Sequence, residues 1–201
     1  MPSVYILLTR TGTLFSRAIH AATGDPYTHS SLALDGDLAH MYSFARRYRR
    51  LPLVVGFVRE TLDRGIYGAN PHAPCALYEI PVSSEAYRCI CRRIDNLYAR
   101  RFHWRYNILG VIANYFGKIH RSRNRRFCSE FVAECLLEAG AIPFCTEAAP
   151  FLEPAGVRPA MLADLPGARC VYTGKLTGLL ENLKPFTINS FTYSCYTYTA
   201  P

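Results

Sequence analysis

A cysteine at the start of a predicted helix is the residue of this chain best suited to nucleophilic chemistry. Cys128 follows Arg125 and Arg126 and begins the segment 128–139, in which apolar residues repeat at helical spacing up to Gly140. The unpaired N–H groups and the dipole of a helix start both favour a thiolate over a thiol. A thiolate is the form of cysteine that attacks carbonyl carbons. The alternative is an ordinary buried cysteine, as most free cysteines are.

A histidine about a hundred residues upstream of this cysteine could serve as its base. His29 lies at the start of a predicted strand, just after a turn at residues 25–26. An imidazole can take the thiol proton and return it to a leaving group, if the two side chains meet and a third group orients the ring. The alternative is a half-buried structural histidine, which is the commoner role of a single histidine in a strand.

The strand that follows His29 has two alternative registers. Residues 35–36, an Asp-Gly pair, predict a tight hairpin turn. A two-residue turn would set Tyr42 opposite His29, with His40 on the same face. A three-residue loop would instead bring Ser43 opposite the histidine, because a shift of one residue exchanges the two faces of a strand. The sequence leaves both registers open.

The remaining pattern predicts an α+β fold with a mainly antiparallel sheet packed against the cysteine helix. Residues 1–184 are expected to form one domain, followed by a loosely held tail at 185–201. The cysteine helix is expected to turn Glu130, Glu134 and Glu138 towards solvent. Further strands are predicted at 4–8, 53–58, 75–82 and 168–172, helices at 14–22, 85–100, 106–116 and 157–165, and a loop at 59–72.

The net charge of +8, from 23 basic and 15 acidic residues, is concentrated in three clusters. These lie at 46–50, 92–105 and 118–126. Such clusters could attract nucleic acid, anionic lipid or an acidic substrate. Because no nucleic-acid-binding motif accompanies them, a solvated basic surface is preferred and no specific nucleic-acid partner is expected. Contact with anionic lipid at a membrane surface stays an alternative.

The spacing of the cysteines limits the chemistry to be expected, and the first residues limit the compartment. The eight cysteines include no C-x-x-C pair and no cluster with zinc-ligand spacing, so neither a metal nor a redox site is predicted. Residues 1–8 lack the charged start and the length of a signal peptide. No apolar run approaches the roughly 18–20 residues that span a bilayer. The expectation is a cytoplasmic protein with reduced thiols.

Three segments together indicate a family. They are YTHSSLALD at 27–35, MYSF at 41–44 and FCSEFVA at 127–133, in that order. They resemble the permuted papain-like enzymes of the YaeF/YiiX type, circularly permuted relatives of the NlpC-type cell-wall peptidases. Papain-like enzymes have the cysteine helix before the histidine strand, whereas the permuted group has the histidine first, as here. The resemblance covers most of residues 4–173 and implies a circularly permuted papain-like fold.

The resemblance also implies roles for individual residues. Cys128 would be the nucleophile and His29 the general base and acid, with no metal or organic cofactor. The Cys128 N–H would hold the oxyanion, with the Tyr27 hydroxyl as a candidate second donor. Independently of the resemblance, the position of Arg125 and Arg126 next to the cysteine suggests a substrate with a carboxylate or phosphate.

The third, orienting residue departs from the family pattern. In similar proteins it is often a glutamate on the strand after the histidine. Here that place falls near Ser43, with Tyr42 beside it and His40 earlier on the same strand. These three are the candidates, with Ser43 first. Glu60, the nearest downstream carboxylate, is not assigned this role.

The function expected from these features is that of a cysteine hydrolase, an amidase or peptidase. Its substrate would be a small peptide or an aminoacyl amide, and its reaction would proceed through a Cys-His thiolate mechanism. A lipid acyltransferase or esterase of the same fold and a non-catalytic binding module are the two alternatives. The oligomeric state is left open.

Overall fold

A computed structural model describes residues 1–48, 51–142 and 153–183 of the chain. Within these residues the strands are β1 (Ser3–Thr9), β2 (His29–Ala33), β3 (Met41–Tyr48), β4 (Leu51–Glu60), β5 (Pro74–Pro81), β6 (Arg105–Tyr106), β7 (Arg125–Arg126) and β8 (Arg169–Lys175). The helices are α1 (Leu14–Thr23), α2 (Gly65–Gly68), α3 (Ser84–Ala99), α4 (Ile108–Tyr115), α5 (Cys128–Glu138) and α6 (Leu176–Leu183), with 3-10 turns at Pro154–Gly156 and Pro159–Asp164.

The described residues form an α+β fold built on a six-stranded antiparallel sheet. Its strand order is β4-β3-β2-β1-β5-β8, while β6 and β7 form a separate two-residue parallel pair. The sheet is covered on both faces. Residues of α3 and α5 join the larger core on one face, and residues around α2 and α6 join a second core on the other. β1 lies within the sheet, so Ile6 contributes to the first core and Leu7 to the second.

The helix that begins at Cys128 is buried on almost all sides. Phe131, Val132 and Leu136 are fully buried where α5 packs against β2 and β3. Burial of each such side chain contributes about 1.5–3 kcal/mol, so this helix start is firmly held. The expectation that Glu130 faces solvent is wrong. It is 2% exposed, because its carboxylate accepts the N–H of Phe127 at 3.1 Å and so caps the helix start.

The connection from β2 to β3 differs from both predicted hairpins. Ala33 pairs with Met41, and the Leu34 N–H donates to the His40 carbonyl, so a five-residue loop joins the strands. The side chain of Asp35 explains the longer loop. Its carboxylate accepts hydrogen bonds from the backbone N–H of His40 at 3.2 Å and binds the His40 ring at 2.5 Å. The Asp-Gly pair therefore begins a wide loop and not a tight turn.

Other differences concern the ends of elements. The region 59–72, predicted as a loop, includes the end of β4 and the short α2. The predicted helix at 157–165 is a 3-10 turn, and α6 was not predicted. The predicted tail at 185–201 lies outside the described residues. In the part of the chain that the structure describes, no helix is both long enough and apolar enough to cross a membrane.

Candidate active site

The start of β2 and the start of α5 bring His29 and Cys128 together. The two side chains lie close enough for each to shift the pKa of the other. They are 7% and 3% exposed, respectively, so the pair is shielded from water without being sealed off. The contact arises because α5 packs directly on β2, which sets the first turn of the helix against the first residue of the strand.

The other side of the imidazole faces a carboxylate. Nε2 of His29 lies 3.3 Å from Oε1 and 3.4 Å from Oε2 of Glu60, and the Glu60 side chain is almost fully buried. An imidazole has only two nitrogens, so Nδ1 is the one that remains for the Cys128 thiol. Cysteine, histidine and glutamate are thus in contact in the order that nucleophilic catalysis requires.

Glu60 reaches the histidine from the far edge of the sheet. It is the last residue of β4 and lies opposite Met41 on β3, which in turn lies opposite Ala33 on β2. Its long side chain crosses β3 to meet the ring of His29. Sequence reasoning considered this residue but did not assign it, because its position depends on the pairing of β3 with β4.

The three predicted orienting residues lie elsewhere, which corrects that assignment. Ser43 donates its hydroxyl to the Ser30 carbonyl at 2.7 Å. The ring of Tyr42 is stacked on that of Phe57 in the main core. His40 is half exposed and pairs with the aspartate of its own loop. The physical reason is the five-residue loop, which shifts β3 relative to β2 from either predicted register.

The Glu60 carboxylate is itself held by two hydroxyl groups. Ser31 donates to its Oε2 at 2.5 Å, and the Tyr67 hydroxyl lies 2.6 Å from that of Ser31. Ser31, on β2, and Tyr67, in α2, are both fully buried. Hydrogen bonds to a charged group in a site without water are strong and fix its orientation. This network positions Glu60, and through it the ring of His29.

The electrostatics of the site favour an ion pair. Burial acts to lower the pKa of His29, but the charge of Glu60 and the interaction with Cys128 outweigh it and raise the pKa to about 10. Burial likewise opposes ionisation of Cys128, but the interaction with His29 and its positive charge lower the pKa of the thiol. Both shifts favour the thiolate–imidazolium form of the pair over the neutral form.

Hydrogen-bond donors surround the sulfur where an oxyanion would form. The Cys128 N–H belongs to the first turn of α5, whose N–H groups have no partner within the helix. Tyr106 lines the same cavity as Cys128, and the two side chains interact electrostatically. Burial, and then the negative charge of Cys128, hold the pKa of Tyr106 far above its usual range, so this hydroxyl stays protonated. Sequence reasoning missed Tyr106, since nothing in its local pattern points to the cysteine.

The residues expected to bind the oxyanion or substrate are only partly at the site. Tyr27 packs against the main core within electrostatic reach of Tyr78. Arg126 forms an ion pair with Glu134 at 2.6 Å, so its guanidinium already has a carboxylate partner. Arg125 is exposed and lines a groove beside the site.

A small, mainly apolar cavity opens onto the thiol. No protein-family model matches the chain, and no curated protein matches it. Within the described ranges, no group of three or more side chains is arranged to hold a metal ion. The lining residues include Ile19, Thr28, Val111, Tyr115, Phe127, Cys128 and Val157.

Proposed function

We propose that this protein is a cysteine hydrolase that cleaves amide bonds through an acyl-enzyme intermediate. The observation that supports this most is the buried Cys128–His29–Glu60 contact, with a raised histidine pKa and a lowered cysteine pKa. A structural cysteine in an apolar core has its pKa raised by burial, as Cys135 does in the same helix. The opposite shift at Cys128 is typical of a nucleophile.

The mechanism follows from the positions of the groups. The Cys128 thiolate attacks the carbonyl carbon, and the Cys128 N–H and Tyr106 hydroxyl stabilise the oxyanion. The C–N bond then breaks as the His29 imidazolium gives its proton to the leaving amine, leaving a thioester. Neutral His29 next takes a proton from water, which hydrolyses the thioester and regenerates the ion pair. Glu60 keeps the ring oriented and its positive charge stabilised throughout.

The order of the site residues supports a circularly permuted papain-like fold. The histidine strand β2 precedes the cysteine helix α5 in the chain, and the antiparallel sheet packs against that helix. This order matches the YaeF/YiiX type. In this chain the glutamate comes from β4 and not from the strand directly after the histidine.

Selective alkylation tests the proposed nucleophile. Iodoacetamide at pH 6–7 is expected to modify Cys128 faster than the exposed Cys170, because the thiolate of Cys128 is present below the usual thiol range. Turnover of an amide substrate should follow a bell-shaped pH profile. Its acid limb follows protonation of the thiolate, and its alkaline limb lies near pH 10, where His29 loses its proton. Peptide mass spectrometry measures the first effect, and a panel of aminoacyl amides the second.

The same sample provides the control for this experiment. Cys170 reports ordinary thiol reactivity, and the Cys128→Ser variant should lose turnover while keeping its thermal unfolding midpoint within a few degrees. If the alkylation rate of Cys128 does not exceed that of Cys170 at any pH between 6 and 7, the proposal is wrong.

A second function, acyl transfer or hydrolysis on lipid esters, is favoured by one observation. Helix α4 lines the cavity at Cys128 through Val111 and Tyr115, yet Leu109 is 58% exposed and Phe116, just after the helix, is 76% exposed. Exposed apolar side chains beside a basic segment, here 118–126, suit contact with an anionic lipid surface.

Vesicle binding separates this second function from the first. Vesicles that contain phosphatidylserine should sediment the protein, and added salt should weaken the binding. The Leu109→Ser/Phe116→Ser variant should lower the bound fraction at least fivefold, whereas Val171→Ser, an exposed apolar position on β8, should not. Equal binding of the unmodified protein and both variants, or equally strong binding to vesicles made only of phosphatidylcholine, would exclude the lipid function.

A further inference from the structure

A groove of about 370 Å³ lies next to the candidate active site and is not used by the mechanism above. Three arginines and several aromatic or aliphatic side chains form it, and no acidic residue is among the described residues that line it. The lining residues are Arg47, Val55, Phe102, Trp104, Arg105, Tyr106, Ile108 and Arg125.

Two of these arginines face each other without a counter-ion. Arg105 on β6 lies directly opposite Arg125 on β7 in the parallel pair, and both line the groove. In the described part of the chain neither side chain forms a hydrogen bond or an ion pair. Like charges at directly opposed positions are unfavourable unless an anion lies between them. Elsewhere the structure pairs arginines with carboxylates, as for Arg93 with Glu134 and Arg169 with Glu79.

The third guanidinium is held in place by backbone carbonyls. An Nη atom of Arg47 donates to the Trp104 carbonyl at 3.1 Å and also to the Arg101 carbonyl. Its guanidinium carbon lies 5.1 Å from the centre of the Phe102 ring. Arg47 is thus a fixed positive charge on the groove wall.

Tyr106 connects the groove to the nucleophile. It lines both the groove and the cavity at Cys128, and it interacts electrostatically with the thiol. Arg125 lies only three residues before Cys128 in the chain. A molecule in the groove would therefore extend past Tyr106 towards the sulfur.

We infer that this groove binds the carboxylate or phosphate end of the substrate whose scissile bond lies at Cys128. Arg105 and Arg125 hold the anion, since planar guanidinium groups bind both anions in a bidentate manner. Trp104 and Phe102 contact the apolar part next to it. The link to the scissile bond rests on the proposed hydrolase function, whereas binding of the anion does not.

Calorimetry with phenyl phosphate, which combines an aromatic ring with an anion, tests the groove. The Arg105→Gln/Arg125→Gln variant should raise the Kd for phenyl phosphate at least tenfold. The matched control is Arg92→Gln/Arg123→Gln, which removes two exposed arginines that do not line the groove and should change the Kd less than twofold. Absence of binding to the unmodified protein, or equal weakening in both variants, would overturn the proposal.

Protection of the thiol tests the link to the active site. Saturating phenyl phosphate should slow alkylation of Cys128 by uncharged iodoacetamide at least fivefold in the unmodified protein, and less than twofold in Arg105→Gln/Arg125→Gln. Arginine-dependent binding without protection would overturn the substrate assignment. If binding depends on the arginines but Cys128 reacts like an ordinary thiol, anion binding by the groove is supported and the proposed hydrolase function is wrong.

The source of the anion is distinguished by a vesicle experiment with the same two variants. If binding to phosphatidylserine vesicles falls in Arg105→Gln/Arg125→Gln as much as the affinity for phenyl phosphate does, and does not fall in the control, the bound anion is a lipid headgroup. Unchanged vesicle binding together with the loss of phenyl phosphate affinity identifies a soluble carboxylate or phosphate.

Discussion

The His29→Ala variant is expected to lose roughly 10³-fold in kcat/KM on an amide substrate, because it removes both the base and the acid of the mechanism. The chemical state of Cys128 should change as well. Without the imidazolium, burial of the thiol is no longer opposed by its main partner, so the pKa of Cys128 rises. Alkylation of Cys128 at pH 7 should then fall to or below the rate of exposed Cys170, as measured by peptide mass spectrometry.

His40→Ala is the matched control for this variant. His40 also pairs with a carboxylate, that of Asp35, but it lies on the half-exposed loop between β2 and β3. Its removal should leave turnover within twofold of the unmodified protein. Added imidazole should restore part of the activity of His29→Ala by entering the vacated space. Equal activity of the two variants would contradict the assignment of His29 as the base.

The Glu60→Gln variant is expected to lose roughly 100-fold or more in kcat, because an amide cannot balance the imidazolium charge and can fix the wrong ring tautomer. The charge of Glu60 is a main reason why the pKa of His29 lies near 10. Its removal should therefore shift the alkaline limb of the pH profile to lower pH. A merely structural role of Glu60 would lower stability without moving this limb, so the pH profile of kcat is the measurement that decides.

Ser43→Ala provides the comparison for Glu60. Ser43 was the first candidate for the orienting role, but its hydroxyl donates to the Ser30 carbonyl. Loss of that bond should cost about 1 kcal/mol of stability and leave the pH profile unchanged. If Ser43→Ala moves the alkaline limb and Glu60→Gln does not, the orienting role belongs to Ser43 after all.

The accuracy of the sequence-based predictions depended on whether a feature is local. Helix α3 could be predicted because its capping residue, Ser83, and its apolar spacing are contained in one segment. The strand at His29 and the helix at Cys128 were predicted in the same way. The hairpin was wrong because its loop depends on a side chain, Asp35, that binds the backbone N–H and ring of His40. The predicted exposure of Glu130 was wrong because a capping contact at the helix start buries its side chain.

By itself, the sequence determined which residue types could do chemistry and on which elements they lie: a cysteine at a helix start and a histidine at a strand start. Only the tertiary structure decided the partners. Glu60 reaches His29 across β3, and Tyr106 meets Cys128 from β6. The physical reason is that capping and periodicity act within a few residues of the chain. Pairing of strands and packing of helices instead join residues far apart in sequence, through registers that no short segment specifies.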